Sequence, residues 1–297
     1  MKAINKGLRL ALALVLMFTL LAGCGKDSAV LHMATKPMTE QYILGSMMKT
    51  LIEQQTGLQV EVTAGVGGGT SNIQPAMEKG DFDFYPEYTG SGWNIVLKED
   101  GLYDEHLFDR LQEGYQAMDM TWTGMLGFNN TYALCVTNEI AAEYGLQTYS
   151  DLAAVADQLV FGAGYDFFER EDGYDALCET YGLKFKDTVD MDIGLKYDAI
   201  SQKKIDAMIA FTTDGQLSVA DVAVLEDDKG LYPSYMCGFV VRRAVLDEHP
   251  ELQQVFDGVE NLITDAEMAE MNYQVEAEGK EPEEVADAFL RAKGLLQ

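Results

Sequence analysis

Short strand-like and helix-like segments alternate along this chain, and the alternation runs twice. AVLHMAT (29–35) reads as a first strand. TEQYILGSMMKTLIEQQTG (39–57) follows as an amphipathic helix, with Thr39 as N-cap and Gly57 as stop. LQVEVTAG (58–65) is the next strand, GVGGGTSNIQPAMEKG (65–80) a glycine loop and short helix, and FDFYPEY (82–88) the third strand. A helix over DEHLFDRLQEGYQAM (104–118) carries an apolar stripe at Leu107, Phe108, Leu111 and Tyr115. TWTGMLGFNNTYALCVTN (121–138) then reads as strands broken at Gly127 to Asn130. Beyond that break the pattern restarts: helices near IAAEYG and DLAAVAD, strand LVFGAG, helices YDALCETYG and GLKYDAISQKK, strands DAMIAF and VAVLED. After LYPSYM come the apolar strand CGFVVRR and three acidic helices, over 244–259, 264–279 and 282–294. Alternation of this kind predicts an α/β architecture with mostly parallel sheets. Its interruption and return predict two lobes, residues 31–127 plus 234–297 and residues 128–233. The cleft between such lobes is a preferred ligand site.

The first 23 residues stand apart from this pattern. Lys2, Lys6 and Arg9 precede the apolar run LALALVLMFTLL, and LAGC closes it at Cys24. A charged start, an apolar core and small residues before a cleavage point mark an export signal. Leu-Ala-Gly-Cys also resembles the lipobox of bacterial lipoproteins, which implies that Cys24 carries a lipid and that residues 24–30 form a tether. Removing residues 1–23 moves the formal net charge from −28 to −31. So acidic a chain is unsuited to nucleic acid or anionic membrane surfaces. No second apolar stretch reaches the roughly 18 residues a spanning helix needs.

Catalytic and metal chemistry find little support. His32, His106 and His249 lie in different elements, and neither HExxH nor GxSxG is present. The acids of FEREDG (Glu169, Glu171, Asp172) read as a solvated turn. The glycines of GVGGG (65–69) lack both the GxGxxG spacing and a following Lys-Ser/Thr, so a tight turn capped by Thr70 or Ser71 is the expectation. Cys135, Cys178 and Cys237 sit among apolar neighbours without metal-like spacing, and one disulfide among them is open. No cofactor is called for.

The aromatic residues carry more. In DFDFYPEYTG (81–90), Phe82 and Phe84 alternate with acids as a half-buried strand would. Pro86 is expected to stop that strand, having no N–H to donate, and Tyr88 then stands on the turn. Glu87 is read either as attraction for a cation or as a solvated or capping acid. Tyr132, Phe167, Phe168, Phe211, Tyr232 and Tyr235 likewise fall at element ends and crossings. Ring faces gathered in a cleft would suit a quaternary ammonium ion, which offers no N–H and is held by the π-face instead. The same positions also fit an ordinary aromatic interior.

Several stretches together, in collinear order from about residue 30 onwards, resemble a known family. They are TKPMTEQYILG (35–45), DFDFYPEYTG, LGFNNTYAL (126–134), FFEREDGY (167–174), FTTDG (211–215), VLEDDKGLYPSY (224–235) and MNYQVEAEGKEPEEVADAFLRAKGLL (271–296). The family is that of the substrate-binding lipoproteins of osmoprotectant ABC importers, for glycine betaine, choline, carnitine and related compounds. The resemblance implies a two-lobed, type II periplasmic-binding-protein-like fold that closes on its ligand in the interdomain cleft. It implies an extracytoplasmic, lipid-anchored receptor, not an enzyme, working with a permease and an ATPase. By match to the family's motifs, Tyr88, Tyr132, Phe211 and Tyr235 are the trimethylammonium box. Lys36 and Arg170 fall where a ligand carboxylate is held, and Ser91 where a hydroxyl donates. Phe211 departs from relatives that carry tyrosine: it keeps the ring face and lacks the hydroxyl, and with the neighbouring Met236 and Cys237 this opens the alternative of a bulkier betaine, such as carnitine, proline betaine or ergothioneine, or of another small amino-acid-like solute.

Overall fold

The computed structural model describes residues 30–169, 173–191, 195–232 and 234–296. The export segment and Cys24 lie outside these residues. So do Arg170, Glu171 and Asp172.

Two five-stranded sheets organise the chain. The first contains β1 (Val30–Ala34), β2 (Gln59–Thr63), β3 (Phe84–Tyr88), β4 (Met120–Thr123) and β10 (Cys237–Arg242), in the order β2-β1-β3-β10-β4. The second contains β5 (Tyr132–Thr137), β6 (Val160–Gly164), β7 (Asp187–Met191), β8 (Ala207–Phe211) and β9 (Val222–Val224), in the order β7-β6-β8-β5-β9. Each sheet has one strand antiparallel to both its neighbours: β10 between β3 and β4, and β5 between β8 and β9. Both follow directly on a passage of the chain from one sheet to the other. The two passages run side by side. Asn129 bridges Met236 in antiparallel fashion, Asn130 N–H donates to the Tyr235 carbonyl at 3.2 Å, and Tyr235 N–H donates to Asn129 Oδ1 at 2.7 Å.

Helix Thr39–Thr56 is buried through Ile43, Leu44, Met47, Met48, Leu51 and Ile52 because it lies between the first sheet and the C-terminal helices. Gly57 ends it at φ 76°, a left-handed conformation that glycine adopts without a Cβ clash. Thr39 is the first helical residue and not the cap. Met38 holds the cap position, and its side chain makes no capping bond. Gly69, not Thr70 or Ser71, caps helix Thr70–Lys79, and the Thr70 hydroxyl is spent elsewhere. Pro250 divides the first of the expected acidic helices into Arg243–Glu248 and Glu251–Asp257. Strand β7 has no counterpart in the apolar patterning of the sequence. Its sequence, DTVDM, is acidic and exposed because it is a sheet edge. The three cysteines among the described residues are free thiols.

Pro86 does not stop β3. It lies in the middle of a strand buried at all five positions, opposite Phe239 of β10. The strand is therefore covered on both faces, Phe84 packing into one core and Tyr85 into another. Thr89 N–H donates to the Met236 carbonyl, which sets the alternation along the ladder. By that alternation the N–H groups of 85 and 87 face β10, and the nitrogens of 84, 86 and 88 face β1. Strand β1 pairs with β3 only at Met33 and Phe84, so no ladder bond is lost where proline lacks its N–H.

A third junction joins the two halves. Helix Asp265–Glu276 packs against the 3-10 turn Gly215–Ser218 that follows β8. A Cβ on Gly215 would stand 2.6 Å from Tyr273 N and 2.9 Å from Asn272 C, both backbone atoms. Gly215→Ala is accordingly expected to destabilise the protein by about 1–3 kcal/mol, the usual range for overpacking. Denaturant unfolding is the check, and an unchanged midpoint would contradict the packing just described.

Candidate functional site

A cavity of about 930 Å³ opens between the two halves. Lys36, Tyr88, Ser91 and Tyr235 line it from the first-sheet side, and Tyr132 and Phe211 from the second. Six of the seven residues singled out from the sequence thus come together. The seventh, Arg170, lies outside the described residues.

Strand pairing places the first two rings. Tyr132 and Phe211 are directly opposite each other in the β5–β8 ladder, at its end. Their rings stack at 5.1 Å between centroids and 25° between planes. Tyr132 is also met by Tyr232 at 4.9 Å and Phe167 at 5.3 Å. Those two rings belong to the core behind it, as does Phe168, so they do not line the cavity. An aromatic at an element end is therefore not always a cleft residue: Phe167 and Tyr232 are the wall that fixes Tyr132.

On the other side, Tyr88 ends β3 with only 5% of its surface exposed. Its hydroxyl donates to Glu40 Oε1 and accepts from Gln41 Nε2 at 3.1 Å, so its polar end is committed to protein partners. Burial, with the Glu40 carboxyl beside it, pushes its pKa well above the tyrosine range and keeps it a phenol. Tyr235 packs directly on Gly90, where a Cβ would stand 2.6 Å from its ring. Any side chain at 90 would displace that ring, which explains the glycine after Tyr88.

Lys36 is 6% exposed and Glu87 fully buried, and the two form an ion pair. Glu87 also accepts from Thr70 Oγ1 at 2.6 Å and from Tyr88 N–H at 2.7 Å. Glu87 is therefore neither solvated nor a helix cap. It anchors Lys36, whose ammonium stands 4.6 Å over the Tyr88 ring. An ammonium has three N–H donors, so the pair with Glu87 leaves two for other acceptors. A matching arrangement lies across the cavity. Lys196, 3% exposed, pairs with Asp214 at 2.5 Å and stands 5.5 Å from the Phe211 ring. Asp214 also accepts from Phe211 N–H at 3.1 Å. Each half thus backs one cavity ring with a lysine whose charge a carboxylate balances.

Sequence reasoning missed several lining residues, among them Asn94, Ile95, Leu102 and Leu231. Ile95 and Leu102 are exposed apolar side chains, and nothing in their spacing marks them. Asn130 was visible within NNTY but received no role; it lines the cavity and donates to Glu40 at 3.1 Å. Among the described residues no group of three or more His, Cys, Asp or Glu could hold a metal ion.

The substrate-binding domain family of ABC-type glycine betaine transport systems matches residues 29–292. The chain belongs to that family. Its relatives in the family include the ergothioneine transport permease/ergothioneine binding protein of Helicobacter pylori (strain G27), 42% identical over 266 residues. That match takes in 89% of this chain but 48% of the relative, so the chain spans about half of that protein's length. The carnitine transport binding protein of Listeria monocytogenes is 33% identical over 281 residues, 93% of this chain and 90% of the relative. Among solved structures, a glycine betaine/carnitine/choline ABC transporter superposes with a TM-score of 0.85 at 33% identity. It covers 90% of this chain and 100% of its own. The fold is accordingly the two-lobed α/β fold of type II periplasmic binding proteins, and the chain is a substrate-binding component of a transport system.

Proposed function

We propose that this protein is an extracytoplasmic receptor that holds a quaternary ammonium compound in the cavity and passes it to a membrane permease with its ATPase. The observation that carries this is the convergence of Tyr88, Tyr132, Phe211 and Tyr235 on one cavity between the two halves. Desolvated cation–π contacts contribute roughly 2 kcal/mol each, so four ring faces suffice for micromolar binding or tighter, about −8 kcal/mol. The lobes are residues 31–127 plus 234–297 and residues 128–233. Lys36 and Arg170 supply the cationic partners for a ligand carboxylate, and Ser91 a hydroxyl donor. No helix among the described residues is long and apolar enough to cross a membrane. Attachment is assigned to a lipid on Cys24. The protein performs no chemistry on its ligand.

A second reading within this class has its own support. Phe211 offers a ring without a hydroxyl, and one relative at 42% identity is an ergothioneine binding protein. A bulkier betaine fits both facts.

Titration calorimetry on protein lacking residues 1–24 decides between them, with glycine betaine, choline, carnitine, proline betaine and ergothioneine as ligands. At least one is expected to bind at micromolar level or tighter. Ergothioneine as the tightest establishes the second reading. Binding of a neutral amino acid, with none of the five bound, would remove the aromatic-box assignment altogether.

A further inference from the structure

Directly behind the cavity, the first turn of helix Thr39–Thr56 buries a carboxyl group, Glu40, to 2% exposure. Its Oε1 accepts from the Tyr88 hydroxyl and from Asn130 Nδ2. Its Oε2 is buried and makes no hydrogen bond of ordinary geometry, although the Thr213 and Asn272 side chains lie close enough to lower the carboxyl's pKa. Asn272, on helix Asp265–Glu276 and 5% exposed, has its amide orientation fixed: Nδ2 donates to the Thr213 carbonyl at 2.8 Å. That leaves Asn272 Oδ1 as a second buried acceptor with no donor. Buried acceptors left without a donor destabilise the folded state. A proton on Glu40 Oε2 gives that oxygen an O–H to donate, and the Asn272 side chain alongside offers an acceptor for it.

We propose that Glu40 is a protonated positioning residue, tying the ligand-facing Tyr88 to Asn130 at the crossing and, through Asn272, to the Thr213 loop of the second lobe. This rests on reading the cavity as the ligand site. Glu40 does not touch the ligand. It fixes the angle of one ring relative to the lobe that carries Tyr132 and Phe211, so ring geometry and lobe placement depend on one hydrogen-bonded group.

Burial raises the Glu40 carboxyl above the ordinary glutamate range despite the lowering by its hydrogen-bond partners. The titratable groups facing it are Tyr88 on β3 and Cys237 on β10, and the charges of Lys36 and Glu87 act on Cys237 as well. The crossing and helix Asp265–Glu276 present neutral Asn130 and Asn272. The loop after β8 presents neutral Thr213, with Asp214 beside it turned to Lys196. The folded protein keeps a proton that the unfolded chain releases, so stability falls as pH rises above the ordinary glutamate range.

Glu40→Gln copies the protonated acid, with one acceptor for Tyr88 and Asn130 and one N–H for Asn272. It is expected to bind carnitine or ergothioneine, whichever the parent binds, within about twofold of the parent. It should also lack the loss of stability with rising pH. Glu40→Ala is expected to bind at least tenfold more weakly. Infrared difference spectra of the unliganded parent against Glu40→Gln should show a protonated-carboxyl C=O band at neutral pH, present only in the parent. That readout needs no ligand, so it separates failure of this assignment from failure of the ligand reading. An ionised carboxylate in the parent spectrum, or Glu40→Gln as damaging to binding as Glu40→Ala, would overturn the proposal.

Discussion

Glu87→Ala is expected to lower the free energy of unfolding by about 3–5 kcal/mol, because it strands the Lys36 ammonium in the interior without its counter-charge. Glu87 is fully buried and Lys36 is only 6% exposed where it meets the cavity, so the ammonium is left largely desolvated without its partner. The same change removes the acceptor for the Thr70 hydroxyl and for Tyr88 N–H, so the end of β3 loses its fixed position as well. Chemical denaturation measures the loss. A companion variant separates charge from shape: Lys36→Met combined with Glu87→Gln removes both charges and keeps the volume. That pair should recover most of the stability, as neutral replacement of buried ion pairs does elsewhere. A single Glu87→Ala variant less than 1 kcal/mol weaker than the parent would mean that the pair is solvated after all.

Tyr132→Ala is expected to weaken ligand binding at least a hundredfold, about 2.7 kcal/mol. This exceeds the loss of one ring contact, because Tyr132 is the hub of the second-lobe wall. It stacks on Phe211 and is itself held edge-on by Phe167 at 5.3 Å. Removing it deletes one cavity face and frees the Phe211 ring to tilt into the space left. Tyr132→Phe keeps every ring contact and should stay within a few-fold of the parent. Calorimetry with the tightest ligand of the panel is the measurement. Unchanged affinity for Tyr132→Ala would place the ligand elsewhere.

What the sequence reveals divides along physical lines. The strands and helices of the two units are readable because apolar patterning is local, and so is the restart after Asn130. Strand β7 is unreadable for the same reason: an edge strand of DTVDM needs only one neighbour and carries no apolar run. Pro86 misleads because its meaning depends on where β1 leaves the sheet, a tertiary fact. The cavity rings announce themselves by sitting at strand ends. Their supports do not. Lys36 and Glu87 are 51 residues apart and Lys196 and Asp214 are 18 apart, and Glu40 and Asn272 meet only through the packing of two distant helices. Buried polar pairs of this kind follow from the fold and have no local pattern to find.

The strand order also determines when each half can form. Strand β10, residues 237–242, lies between β3 and β4, so the first sheet lacks its link to the edge strand β4 until that segment exists. The second sheet draws all five strands from residues 132–224, a continuous stretch made earlier. The half that begins the chain is therefore the half that finishes last. A ribosome or a translocation channel releasing this protein from its N-terminus leaves β4 apart from β2, β1 and β3 until residue 242 has emerged.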